Sequence, residues 1–297
     1  MAINLKQKAI RFHDKYYKHL LLIPIIILIL VFIQLGMTYS STGEFFKKDI
    51  SLTGGTTATI SIPANQEQLE LELSDKLDGV ETRTIYDLIT REQKAIIIQT
   101  KSSAEETRQV LEEYFQTELT EENSSFEFTG ASLSESFFKQ LLIAIGIAFL
   151  FMAIVVFILF RNFVPSLAVI ISAFADIMMT LGLVNLLGME MSTAGIVAFL
   201  MLIGYSVDTD ILLTTHCLKR SEGGINKRIF TAFKTGITMT LTSILALGFA
   251  LAIVSSFSIV LSKIFLILLI GLGFDILNTW ITNVSILKWH LNKKSKE

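Results

Sequence analysis

The sequence predicts a polytopic α-helical membrane protein of six transmembrane helices, carrying one small α+β domain outside the bilayer. Three observations predict it. First, 52% of the 297 residues are hydrophobic and the mean hydropathy is +0.59, more apolar than an ordinary soluble domain. Second, six runs reach the roughly 18 apolar residues needed to cross a bilayer. Third, residues 40–136 break the apolar pattern and hold 19 acidic against 8 basic residues, the composition of a solvated unit.

The spans are expected at 20–39, 140–160, 164–187, 192–217, 236–255 and 263–287. The "SSFS" cluster at 255–258 and Lys263 separate the last two. The first span is too long for a signal-peptide core, and "TYSSTG" after it offers no small-x-small cleavage site, so it reads as an uncleaved anchor. Lys6, Lys8, Arg11, Lys15 and Lys18 precede it, and Arg161 separates spans two and three. Lys219, Arg220, Lys227, Arg228 and Lys234 follow span four, and Lys288, Lys293, Lys294 and Lys296 end the chain. With six crossings all of these share one side. The positive-inside rule therefore predicts a cytoplasmic N-terminus (1–19), a cytoplasmic tail (288–297) and an extracytoplasmic domain at 40–136. That domain is followed by a five-helix bundle at 137–287 in the cell membrane.

Within 40–136, "TTATISI" alternates like a strand and "NQEQLELELSDKL" spaces its leucines for a helix capped by Asn65. "VETRTIYDL" and "KAIIIQT" read as two strands joined by a short turn, and "SAEETRQVLEEYF" begins with a capping-box pattern. "SSFEFTGA" closes the unit with a strand. The order β-α-β-β-α-β is that of a ferredoxin-like domain. No cluster of catalytic or metal-ligand spacing stands out in it, and the lone Cys217 excludes an internal disulfide. Neither cofactor, metal nor nucleic acid is implied. Ahead of the domain, "DISLTGGTT" places Gly54 and Gly55 where the anchor meets it, as a turn, hinge or seat.

The chemistry is expected in the membrane. An ionisable residue deep in a span is a functional-site hypothesis, because an unpaired charge there costs several kcal/mol. Asp176 and Asp275 lie near the middle of spans three and six, and Asp208 and Asp210 in the inner part of span four. On a helix, positions i and i+2 point about 200° apart, so Asp208 and Asp210 cannot both face one small site. Ser206, Asp210 and Thr214 form one stripe, while Asp208 shares its side with Gly204, where a neighbouring helix could approach closely. Thr238 and Thr242 of span five could orient the acids, and Lys234 and His216 stand near the inner edge. No Lys or Arg matches the depth of the midplane acids. They therefore either hold a proton or pair with a cation from another subunit.

These residues resemble the SecF branch of the SecD/SecF protein-export family. "DISLTGGTT" resembles the family's D-x-TGG stretch after the first span, and "GYSVDTDILL" its fourth-span motif. "FAD" ending at Asp176 matches a third-span His-Asp position, "AFKTGITMTLTS" the Thr-rich fifth span, and "FDILNTW" an archaeal sixth span. Bacterial relatives read GYS-x-Asn-Asp, which puts the family acid at Thr209, flanked here by Asp208 and Asp210. The related SecD motif has its Asp where Asp208 stands, and His216 and Lys234 occupy positions that are Arg in many relatives. The resemblance implies a six-helix bundle of the resistance–nodulation–division type, paired with a SecD-like subunit. Together they would assist the Sec translocon in moving exported polypeptide chains, driven by the proton-motive force, with no enzymatic reaction. Asp208, at the SecD-like position, and Asp176, the deepest acid of the adjacent span, are the expected proton-handling pair; Asp210 and Thr209 would shape the same region from the other side of the helix, and Asp275 is a further candidate or a helix-packing hydrogen bond.

Three other readings compete. A half-transporter of the same superfamily would need a larger domain with an apolar cleft. An intramembrane aspartyl protease would need its acids at Tyr-Asp and Gly-x-Gly-Asp, but "YSVD" and "GLGFD" carry them two residues and one residue late. A structural subunit without ion traffic predicts that neutral isosteres of the acids keep function.

Overall fold

The computed structural model describes residues 16–87, 90–219, 224–256 and 258–294. The expected basic residues Lys6, Lys8, Arg11, Lys15, Arg220 and Lys296 lie outside them. Among the described residues, six helices are long and apolar enough to cross a membrane: Tyr16–Thr42, Ala131–Phe160, Phe163–Leu186, Thr193–Lys219, Ile225–Val254 and Val260–Lys293. The expected runs 20–39, 140–160 and 263–287 lie inside longer helices, because the backbone ladder continues into polar flanks, whereas 164–187, 192–217 and 236–255 each overrun a helix end by one residue. The second helix starts directly after the last strand, and the fifth begins in the basic stretch "INKR".

In chain order the elements are α1 (Leu22–Thr42), α2 (Ile50–Thr53), β1 (Gly55–Ile60), α3 (Gln66–Ser74), β2 (Glu81–Tyr86), β3 (Gln93–Thr100), α4 (Ala104–Phe115) and β4 (Ser124–Thr129). After these come α5 (Ala131–Phe160), α6 (Phe163–Leu186), α7 (Thr193–Lys219), α8 (Ile225–Val254) and α9 (Ile259–Leu277). A π-helical turn, Asn278–Asn283, joins α9 to α10 (Val284–Lys294).

In the α+β domain all strand pairs are antiparallel, in the order β2-β3-β1-β4. This is the ferredoxin-like arrangement. Alternation along β1 and β3 sends Ala58, Ile60, Ile96 and Ile98 to one face, where they pack on Leu69, Leu73 and Leu111 of α3 and α4. Both helices start where local chemistry places them. Asn65 accepts from the Glu67 and Gln68 amides, and Ser103 from the Glu106 amide.

In the bundle, α6 and α7 are central and α9 packs against α6, α7 and α8. The flanking α1, α5 and α8 present exposed apolar side chains, among them Leu30, Ile143, Leu150, Leu245 and Phe249, as helices bathed in lipid do. Small residues set the closest approaches: a Cβ on Gly271 would come 2.4 Å from Leu202 Cδ1, and one on Gly236 2.5 Å from Trp280 Cζ2.

The domain is keyed to one end of the bundle. Asp49 caps α2 through the Ser51 amide (2.9 Å), and Leu52 is buried with Val184, Ile196 and Leu268 of the bundle. The Asp49 amide donates to Met191 O and the Met191 amide to Lys47 O, tying the connector to the α6–α7 loop. Lys263 at the start of α9 pairs with Asp49 at 3.1 Å, both side chains mostly buried. Gly54 has φ +85°, and a Cβ there would lie 2.5 Å from the Ala131 Cα; Gly55 has φ +148°. Only glycine fits such backbone at such distances; Gly54 seats the domain against the start of α5, and Gly55 lies against the end of β3, where a Cβ would come 2.3 Å from Thr100 O.

Candidate functional site

The midplane acids converge. Asp176 of α6, Asp210 of α7 and Asp275 of α9 are fully buried, with 0% of each exposed. Asp176 lies 13 residues into α6, about 20 Å along its axis. Asp275 is the shared electrostatic neighbour of the other two carboxyl groups.

Each carboxyl is held by neutral donors. The Ser206 hydroxyl donates to Asp176 Oδ2, and Asn278 Nδ2 donates to Asp176 Oδ1 at 2.7 Å. Thr209 Oγ1 donates to Asp275 Oδ2 at 3.2 Å and Thr279 Oγ1 to Asp275 Oδ1 at 3.0 Å. Asn283 Nδ2 donates to Asp210 Oδ1 at 2.7 Å. Thr282 Oγ1 in turn donates to Asn278 Oδ1 at 3.1 Å. Asp210 Oδ2, Ser172 Oγ, Thr214 Oγ1 and Asn283 Oδ1 are buried without a hydrogen-bond partner among the described residues.

Among the described residues none of the three acids has an ion-pair partner. A bare carboxylate in such surroundings is strongly disfavoured, so three together require protons or an imported cation to neutralise them. No group of three or more His, Cys, Asp or Glu among the described residues is placed to hold a metal ion. The arrangement brings three carboxyl groups and their hydroxyl and amide donors together from α6, α7, α9 and the π-helical turn.

The π-helical turn organises these contacts. Its i→i+5 ladder carries one extra residue per turn, and it points Asn278 at Asp176 and Asn283 at Asp210. Such turns occur often at functional sites. A 3.6-residue periodicity does not reveal it. The signal that marks these residues is the polar run Asp275, Asn278, Thr279, Thr282 and Asn283 inside an otherwise apolar span.

Asp208 stands elsewhere. Ser206, Thr209 and Asp210 share the inward face of α7, while Asp208 is exposed together with Gly204, Tyr205 and Met201. Asp208, expected to act with Asp176, stands on the opposite face of α7 from the buried cluster, in which Asp210 and Asp275 accompany Asp176. A Cβ added at Gly204 would meet nothing within 4 Å, so no described helix of this chain uses it for close approach. Thr238 and Thr242 also face outward. Their hydroxyls donate to Lys234 O (2.8 Å) and Thr238 O (2.7 Å) of their own helix instead of reaching the acids, a common resolution for hydroxyls in apolar helices. Lys234 is exposed and His216 is buried near the end of α7. Lys288 is 2% exposed, its Nζ 5.4 Å from the Tyr17 ring centroid, although its place in a basic tail suggests solvent.

Residues 109–293 match the family described as "Protein export membrane protein SecD/SecF, C-terminal". The chain is 40% identical to the protein-export membrane protein SecF of Methanocaldococcus jannaschii, over 94% of this chain and 97% of that one. It is 38% identical to the SecF of Methanothermobacter thermautotrophicus, over 95% of each. The fold is that of SecDF, a translocon-associated membrane protein of Thermus, at a TM-score of 0.68 and 20% identity. The match takes in 93% of this chain and 38% of that longer one.

Proposed function

We propose, for a chain that belongs to the SecF family of SecD/SecF protein-export membrane proteins, that it couples the proton-motive force to polypeptide translocation. It does so as a multi-pass subunit beside a SecD-like partner, at the Sec translocon. The observation that carries this reading is the cluster of Asp176, Asp210 and Asp275, buried, joined by Ser, Thr and Asn donors, and lacking a basic counter-charge among the described residues.

The charge pattern supports termini in the cytoplasm and the α+β domain on the outer side of the cell membrane. Protons entering the cluster from outside and leaving inward would each release about 2.3 kcal/mol per 100 mV. Protonation changes what each carboxyl does. As a carboxylate it only accepts; as an acid it also donates. Asn278 and Asn283 share one turn, so a change at Asp176 or Asp210 bears on the same length of backbone.

That backbone leads to the domain. α9 runs from Lys263, bridged to Asp49 at the domain's base, to Asp275 and the π-helical turn. A shift of α9 driven at the cluster would thus reach the seat of the domain, which the exported chain would meet. Asp208, Gly204 and Tyr205, with Lys234, Thr238 and Thr242, are exposed polar or small positions on membrane helices. They are the natural place for a SecD-like subunit, since exposed polar groups are costly against lipid.

The test is export into inverted vesicles with the SecD-like partner present, with and without a proton gradient. Asp176→Asn, Asp210→Asn and Asp275→Asn should lose the gradient-dependent part at normal abundance and assembly. Retention of that part in all three would leave a structural subunit as the better reading.

A further inference from the structure

Away from the aspartate cluster, the α+β domain meets the bundle in two ways. The connector is locked by backbone pairing of Lys47 and Asp49 with Met191 and by the Asp49–Lys263 pair. The sheet itself touches the bundle through β2. The Tyr86 amide donates to Ser256 O at 3.3 Å, and Glu81 and Arg83 line a cavity of about 330 Å³ with Glu190 of the α6–α7 loop and Lys263 of α9.

Two carboxyl groups from two different bodies therefore share one cavity. We propose that Glu81 and Glu190 form a proton-binding catch, in which one shared proton holds the sheet of the domain down on the bundle. With one proton present, Glu190 donates to Glu81; with none, two carboxylates oppose each other across the seam. No covalent step is involved: the proton comes from the aqueous phase on the domain's side and returns to it.

The charges around the pair make the balance fine. Arg83 flanks Glu81 on β2 and lines the same cavity. Lys263 faces Glu190 from α9 but is engaged by Asp49 of the connector. Glu70 of α3 borders the adjoining cavity with Glu81, Arg83 and Lys263. α8 contributes Leu251, which is uncharged. Half-burial, the neighbouring Glu81 carboxyl and its hydrogen bond push Glu190 up to about 7, against the pull of Lys263. The docked domain thus binds more protons than the undocked one. By linkage, docking strengthens as pH falls and weakens as pH rises through about 7. This site stands apart from the coupling proposed above and does not require it.

The experiment measures a distance in the full chain in lipid nanodiscs, between spin labels at Glu121→Cys on the domain and Ser255→Cys on the bundle. Both positions are exposed, whereas the native Cys217 is buried and unreactive to label. Wild type should give one narrow distance at about pH 6 and a longer, broader distribution at about pH 8.5. Glu190→Gln and Glu81→Gln each keep a hydrogen bond without a proton to lose, and should stay narrow at both pH values. A pH-invariant wild type would overturn the catch, as would an undiminished pH response in both Gln variants. Asp176→Asn should keep the response. Its loss there, with persistence in the Gln variants, would move the titrating group into the membrane and overturn the catch while leaving the coupling reading standing.

Discussion

Asn278 and Asp176 meet across two helices at 2.7 Å, amide to carboxyl, in a place where neither is exposed. Asn278 also accepts from Thr282, so its amide is oriented with the nitrogen toward the acid. Asn278→Leu should strand Asp176 Oδ1 and lower stability by about 1–3 kcal/mol. Thermal unfolding in detergent would measure this. Asn278→Gln should recover less than half of the loss, since its longer side chain cannot keep the Asp176 and Thr282 contacts together.

Asp208→Asn and Asp210→Asn separate two roles on one helix. Asp208 is exposed in the isolated chain, so its replacement should change the stability of that chain by no more than about 0.5 kcal/mol. Its effect should instead show in co-purification with the SecD-like partner. Asp210→Asn should leave partner binding intact and remove gradient-dependent export.

Gly54 and Gly43 both have positive φ, +85° and +75°, but Gly43 is left-handed helical (ψ 2°) and Gly54 has an extended ψ of 157°. Gly43 has open space around it, whereas Gly54 faces the backbone of Ala131. Gly43→Ala should cost about 1 kcal/mol from backbone strain alone. Gly54→Ala should cost more, about 2–4 kcal/mol, because backbone strain and a main-chain clash add. Limited proteolysis between the domain and α5 would reveal the misseated domain.

Lys263→Met leaves Asp49, 5% exposed, without its cation. Breaking one side of a buried pair is worth about 3–5 kcal/mol, toward the low end here because Lys263 retains some solvent contact. It should also loosen the domain, because this pair locks the connector to α9. Spin-label distances across a pH series would record a broader distribution than wild type even at about pH 6, where the Glu81–Glu190 catch is closed.

Much of the architecture was readable because it is written in local or periodic signals. Apolar length marks the spans, and Asn65 and Ser103 mark the starts of α3 and α4. The opposed facing of Asp208 and Asp210 follows from helix geometry alone. Which of the two faces inward does not, because α7 is apolar on both sides and only its packing against α6 and α9 decides. The Thr-rich face of α8 misleads for a related reason. Hydroxyls there can satisfy themselves on their own backbone, so their presence does not mark a helix interface. The partners Asn278 and Asn283 depend on a ladder that departs from α-helical spacing, which no regular repeat announces.

That departure also fixes the phase of α10. The extra residue in Asn278–Asn283 rotates α10 by about 100° relative to an unbroken helix. Remove one residue, Ile281 for instance, and an ordinary α-helix would re-form with no loss of hydrogen bonding. Val284, Leu287 and Lys288, all buried, would then swing off their neighbours, and Asn283 would leave Asp210. A one-residue deletion that looks harmless in hydropathy would thus put the two halves of the last span out of step.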